Sequence, residues 1–199
     1  MKHPAHARSE QEIIEKARQG DDRAFEQLVM LFTPRLFRVV NRMTGDASET
    51  EAIMQETFFR IWQALPRYNT EKPFFPYLVT IAANIFRDQW RKSRRLDFGG
   101  FDALEEVLPD KNPCPEEKLE QKELLQCLAK AVAELPPAYR AVIALKYDAG
   151  MKYQQIAKAL GLPVNTVRTH LRRAKRLLKS TLEDTLPGAA VTPNSSEEF

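Results

Sequence analysis

The sequence predicts an all-α chain: two small helical domains joined by a flexible acidic linker, the second containing a helix-turn-helix. Three observations carry that expectation. Apolar residues recur at helical spacing through nearly every segment, and the strict alternation of a half-buried strand is absent. The 7 glycines are few for 199 residues and stand at breaks between periodic stretches. Around 96–115 the period lapses into Gly99-Gly100, Pro109, Pro113 and Pro115, the composition of a linker.

A first helix is expected from Ser9 to Gln19, with Ser9 as N-cap and Glu12 completing a capping box. Gly20-Asp21-Asp22 ends it. A second runs from Arg23 to Met43, with Ala24, Leu28, Leu31, Leu36, Val39 and Val40 as its apolar positions, and Pro34 is expected to kink or interrupt it. After Gly45-Asp46, Ser48 is placed to cap a third helix reaching Leu65, whose apolar face is Ile53, Met54, Phe58, Ile61 and Leu65. Pro66 to Pro76 breaks the pattern, and a fourth helix follows from Tyr77 to Arg94. These elements make a first domain, residues 9–95. Beyond the linker, 96–115, helices are expected at Glu116 to Glu134, Pro137 to Asp148, Tyr153 to Leu160 and Val164 to Leu182, a second domain over 116–186. Residues 187–199 read as a disordered tail.

Bulk properties narrow the function classes. No apolar run approaches the ~20 residues that cross a bilayer, and Met1 to Glu12 is polar, unlike a secretory signal, so a cytoplasmic chain is expected. Cys114 and Cys127 are too few for a disulfide framework. With His3, His6 and His170 scattered, no metal site and no cofactor is expected. The net charge of +3 hides a segregated distribution. Acidic residues dominate from Asp97 to Glu123, which would keep the linker off DNA or fold it over a basic surface. Arg87, Arg91, Lys92, Arg94 and Arg95 form one basic cluster. Arg168, Arg172, Arg173, Lys175, Arg176 and Lys179 form another, with no acidic residue among them. Such clusters neutralise phosphates and release counterions, the sequence-independent part of nucleic-acid binding.

The strongest local signal runs from Tyr153 to Leu171. Ala157 is small where two helices would cross closely, Gly161 suits the left-handed turn ending the first, and Pro163 fits the start of the next. Ile156, Leu160, Leu162, Val167 and Leu171 would share a core. That leaves Thr166, Thr169, His170, Arg172 and Arg173 on or near the outward face, the face that enters the major groove in a helix-turn-helix. In the first domain Phe74, Phe75, Tyr77, Phe86 and Trp90 interleave with Asn84, Arg87, Arg91, Arg94 and Arg95. Aromatic platforms beside arginines are what single-strand binding requires. Phe86 and Trp90 read as core; for Phe75 and Tyr77 stacking and core roles stand level.

Ser48-Glu49-Thr50-Glu51-Ala52-Ile53-Met54-Gln55-Glu56-Thr57-Phe58 resembles the polymerase-binding helix of extracytoplasmic-function (ECF) sigma factors. Phe74-Phe75-Pro76-Tyr77-Leu78 with Ile81-Ala82-Ala83-Asn84 resembles their promoter-melting loop and helix, and Leu135-Pro136 through Lys146-Tyr147 with the helix-turn-helix resembles their second domain. The parts lie in the family's order from Gln11 to Leu182. The resemblance implies a non-enzymatic subunit that binds core RNA polymerase and directs promoter recognition and melting, under an anti-sigma factor. It implies that Glu51, Gln55, Glu56, Phe59 and Trp62 dock on the polymerase clamp. Phe75, Tyr77, Asn84, Arg87, Arg91, Arg94 and Arg95 would serve the minus-ten element, the loop from Tyr68 to Tyr77 capturing a flipped base. Lys146, Thr166, Arg168, Thr169, His170, Arg172, Arg173 and Arg176 would read the minus-thirty-five element. Three positions depart from the family pattern: Ala52 where Asp is usual, Tyr77 where Trp is usual, and Pro76 beside it.

A helix-turn-helix regulator acting without polymerase core is the alternative, but it leaves the Gln55-Glu56 helix and the aromatic loop without a role. A nucleic-acid-modifying enzyme would need paired carboxylates, a metal cluster or an activated nucleophile. Asp88 among arginines reads instead as a salt-bridge partner.

Overall fold

The computed structural model describes residues 4–96 and 121–185, with side chains at 10–92 and 126–183. It contains eight α-helices and no strand among the described residues: α1 Pro4–Arg18, α2 Asp22–Thr44, α3 Ala47–Ala64, α4 Phe74–Leu96, α5 Gln121–Glu134, α6 Pro137–Ile143, α7 Tyr153–Leu160 and α8 Val164–Thr185. A short 3-10 turn, Leu65–Arg67, follows α3, and a π-turn, Ala144–Asp148, extends α6. The all-α expectation holds, as two helical domains. The linker beyond Leu96, the tail, Cys114 and His3 lie outside the described residues, as does the side chain of His6.

Local chemistry sets the helix ends, and several differ from expectation. Asp21 caps α2, its carboxylate accepting from the Arg23 and Ala24 N–H groups at 2.9 and 3.1 Å. The same helix closes on Gly45 at φ 72°, a left-handed residue whose N–H donates to the Asn41 carbonyl. Asp46 follows in extended geometry and accepts from the Glu49 N–H at 2.8 Å, so Asp46, not Ser48, caps α3. Ser9 is not a cap either, because α1 begins at Pro4. The fourth helix starts at Phe74 rather than Tyr77. Pro76 falls within its first turn, where a missing N–H costs no intrahelical bond. Pro34 does not interrupt the helix: α2 runs through it. Pro34 and Met30, four residues earlier, are both exposed, so the carbonyl freed by the proline faces water.

Leu28, Leu36, Val39 and Met43 of α2 meet Ile53 and Ile61 of α3 and Leu78 and Phe86 of α4, all essentially inaccessible. Leu31, expected on the apolar face, is 49% exposed instead. The α2–α3 hairpin is tied by a buried Thr44–Thr50 hydroxyl pair at 2.7 Å, with Thr50 also donating to the Asp46 carbonyl at 2.6 Å. Buried hydroxyls are thus satisfied, as burial requires. In the second domain α6, α7 and α8 bury Leu145, Ile156, Leu160, Val167 and Ala174. The two cores are continuous, because α2 packs on α6 and the π-turn, and α4 packs on α7.

Candidate nucleic-acid interface

The helix-turn-helix is built as its residues require. Gly161 adopts φ 64°, and its N–H donates to the Ala157 carbonyl, which also accepts from Leu162 at 3.0 Å. Pro163 stands just before α8 and supplies its first acceptor, to the Val167 N–H at 3.2 Å. Ile156, Leu160, Val167 and Leu171 are buried and Leu162 is half-buried. On α8 the positions 167, 170, 171 and 174 face inward, whereas Arg168, Arg172, Arg173 and Arg176 are exposed. Thr166 and Thr169 are half-buried at the edge of that face.

His170 is misplaced by the sequence reading. It is 6% exposed, and its ring meets Tyr139 at 5.2 Å, so it belongs to the core of the second domain and not to the outward face of α8. At 3.6 residues per turn it falls beside Val167, Leu171 and Ala174. Lys146 is half-buried with its ammonium 4.8 Å from the Tyr153 ring centroid, a cation–π contact at the foot of α7.

In the first domain the aromatic segment divides. Phe75 is 3% exposed, lies near-parallel to Phe32 at 6.1 Å, and has the Arg35 guanidinium 3.7 Å from its centroid. Rings and cation occupy its faces, so it is core and not an open stacking platform. Phe86 is core too, as expected, and Trp90 is half-buried. Tyr77 is half-buried and stacks on Tyr68 at 4.9 Å with 25° between the rings. The Tyr68 hydroxyl donates to the Lys72 carbonyl, and the Asn69 side chain accepts from the Glu71 N–H at 2.8 Å, so the 69–73 turn is held from both ends. Burial, with Tyr77 and Glu10 adding, pushes the Tyr68 phenol up to about 12. Arg35, which sits in no recognisable motif, and the bond from the Tyr68 hydroxyl across its own loop are features the sequence reading missed.

Asn84 is half-buried on α4 one turn before Asp88. Arg87 pairs with Asp88 at 2.9 Å, the salt bridge the sequence suggested, and Arg91 is exposed. Both arginines reach the second domain: a Cβ built on Gly161 would stand 3.3 Å from Arg87 Nη1 and 3.8 Å from Arg91 Nη2. Arg94 and Arg95 continue α4, their side chains lying outside the described residues.

Helix α3 has two faces. Ile53, Met54, Thr57 and Ile61 point into the core, Thr57 returning its hydroxyl to the Ile53 carbonyl at 2.6 Å. Glu51, Gln55, Phe59 and Trp62 are exposed, the last two at 53% and 54%. Glu56 is half-buried and paired with Arg60 at 2.6 Å. Ala52 is also exposed, so the carboxylate usual there is not needed as a cap, a role Asp46 fills.

Residues 28–96 match the sequence profile of sigma-70 region 2, and residues 125–178 match that of sigma-70 region 4. RNA polymerase sigma factor NccH of Alcaligenes xylosoxydans xylosoxydans is 30% identical over 173 residues, spanning 86% of this chain and 93% of NccH. ECF RNA polymerase sigma factor SigW of Bacillus subtilis (strain 168) is 28% identical over 179 residues, spanning 86% and 95%. Among solved structures, CnrH in complex with the cytosolic domain of CnrY superimposes with a TM-score of 0.56 at 25% identity, covering 87% of this chain and 97% of CnrH.

Proposed function

The chain belongs to the sigma-70 family, in its ECF group, and from that premise we propose how its two domains divide promoter recognition. It is a sigma factor, a DNA-binding initiation subunit of RNA polymerase. In our reading the first domain, residues 9–95, docks on core polymerase through Glu51, Gln55, Glu56, Phe59 and Trp62. It then takes the minus-ten element as single strand, the 69–73 turn receiving a flipped base beside Tyr77 and Asn84 while Arg87, Arg91, Arg94 and Arg95 hold phosphates. Flipping costs a few kcal/mol, which stacking and phosphate contacts offset. The second domain, residues 116–186, lays α8 in the major groove of the minus-thirty-five element. Arg168, Arg172, Arg173 and Arg176 supply base and phosphate contacts, with Thr166, Thr169 and Lys146 at the margin. Residues 96–115 tether the two. Chemistry stays with the polymerase, the chain works in the cytoplasm beside it, and no cofactor is needed.

The observation that supports this most is the second face of α3. Half-exposed Phe59 and Trp62 sit opposite the core stripe, on a helix the family uses for polymerase docking. A regulator acting without core enzyme has no use for that face. We also infer an anti-sigma factor as the inhibitory partner: CnrH was solved with a protein partner, and Met30, Leu31 and Phe37 leave apolar surface exposed on α2. The test is co-elution with purified core polymerase on size exclusion, paired with footprinting of genomic duplex by the chain alone. Co-elution with poor unaided footprinting supports the reading. An unaided footprint without co-elution would replace it with the regulator.

A further inference from the structure

Helix α2 carries three arginines along one ridge. Arg35, Arg38 and Arg42 stand three and then four positions apart, the spacing that stacks side chains on one side of a helix. They are engaged differently. Arg42, at the far end, pairs with Asp148 at 3.1 Å. Arg38 is exposed, and its charge bears on both Arg35 and Asp148. Arg35 is half-buried, with its guanidinium 3.7 Å from the Phe75 ring centroid. Among the described residues no carboxylate or carbonyl accepts a hydrogen bond from it.

A residue that only packs gains little from such a setting, because a buried charge is unfavourable unless it is paired. Burial holds the Arg35 guanidinium below its ordinary pKa; Glu10 of α1 opposes this from beyond ion-pair distance, and Arg38 adds to it. The stack on Phe75 covers one face of the guanidinium plane. Its N–H donors lie in that plane and point outward from the edge, so they stay available. A planar cation fixed by a ring is a preorganised fork for a phosphate, which accepts two parallel bonds from it. Position says which phosphate. Phe75 opens α4 just after the 69–73 turn. Ring contacts run from Phe75 to Phe32 at 6.1 Å, from Phe32 to Phe74 at 5.2 Å and from Phe74 to Tyr68 at 5.3 Å. Tyr68 in turn holds the turn through its hydroxyl bond to the Lys72 carbonyl. Arg35 therefore stands on the aromatic block that carries the turn, and it does so from α2, not α4.

We propose that Arg35 and Arg38 form a phosphate-binding site on α2 that grips the backbone of the single strand next to the nucleotide taken by the 69–73 turn. The proposal rests on the reading of the first domain as a single-strand binder and adds to it a second line of contact, on α2 besides the arginines of α4. The ligand is a phosphodiester, met edge-on by Arg35 while Phe75 keeps the fork in plane. On a single strand, each phosphate neutralised steepens the fall of log affinity with log salt by about 0.7. At about 0.1 M salt one such contact is therefore about fivefold in affinity.

The experiment uses holoenzyme reconstituted from core polymerase and the full chain, as wild type, Arg35→Gln, Arg35→Lys, Arg38→Gln and Arg91→Gln. Fluorescence anisotropy follows a labelled oligothymidine strand across a salt series, with core polymerase alone as background. Arg35→Gln and Arg38→Gln are each expected to bind about fivefold more weakly at about 0.1 M salt and to flatten the salt slope by about 0.7. Arg35→Lys should keep the wild-type slope, because the charge remains. Arg38 is exposed, so its variant reads the site without disturbing any packing. Weaker binding by Arg35→Gln at an unchanged slope would overturn the site and leave Arg35 a support for Phe75. Unchanged slopes in both glutamine variants of α2, with a flatter one in Arg91→Gln, would overturn the α2 site and leave strand binding to α4. No binding above that of core alone, or slopes unmoved in every variant, would overturn the strand-binding reading as well.

Discussion

Trp62→Ala should weaken polymerase binding far more than its surface position suggests. The indole is 54% exposed on the outward face of α3, beside Phe59 at 53%. A tryptophan side chain covers on the order of 200 Å² when fully buried, so roughly 100 Å² of apolar surface remains to be covered by a partner. At ~25 cal/mol per Å² that is about 2.5 kcal/mol, or roughly sixtyfold in affinity. The other half of the ring is already covered by the chain itself. Truncation should therefore also cost the fold up to about 2 kcal/mol, an amount a typical domain tolerates. Two measurements separate these effects. Thermal unfolding should show a cooperative transition only a few degrees lower. Competition with labelled wild-type chain for core polymerase, run well below that transition, should show the roughly sixtyfold deficit. Equal competition by variant and wild type would refute the docking role of this face.

On α8, Arg173→Ala should cost about 1–3 kcal/mol of promoter affinity and relax readout at one position of the minus-thirty-five element, seen by transcription from a promoter library; an unaltered profile would contradict the assigned face. His170→Ala should do the reverse, because the ring is buried against Tyr139: a lower melting temperature with promoter preference retained in the folded fraction. The Tyr68 phenol yields a pH dependence. Its value is about 12 in the folded chain against an ordinary 10.0, so the unfolded chain releases the proton first and stability falls as pH rises from 10 towards 12. Urea titrations at both ends of that interval should show a loss in wild type that exceeds the loss in Tyr68→Phe; equal losses would contradict the buried phenol.

Local rules made much of this molecule legible. The glycine turn, the small residue at the crossing and the run of exposed arginines on α8 each follow from residue type and spacing, as does the division of α3 into an inward stripe and a polar-aromatic face. His170 was legible too. Val167, Leu171 and Ala174 already define the inward stripe that includes it, but its residue type suggested base readout. Helix starts were harder, because Ser9, Ser48 and Asp46 are all competent caps. Only the left-handed Gly45 settles that the chain enters α3 at Asp46. The burial of Phe75 depends on Phe32 and Arg35, some forty positions away, and the Arg140 guanidinium on α6 donates to the Thr44 carbonyl of α2, nearly a hundred positions away. Spacing along a sequence carries no information about pairings made by tertiary packing.

The most direct test of the central claim is in vitro transcription by purified core polymerase on a library of genomic fragments, with and without this chain. A two-domain sigma factor predicts new start sites that appear only with the protein and share two upstream elements at a fixed separation. Their loss is expected when Phe59 and Trp62 are both replaced by alanine. Core polymerase that initiates nowhere new in its presence, while the chain alone protects particular duplexes, would contradict it.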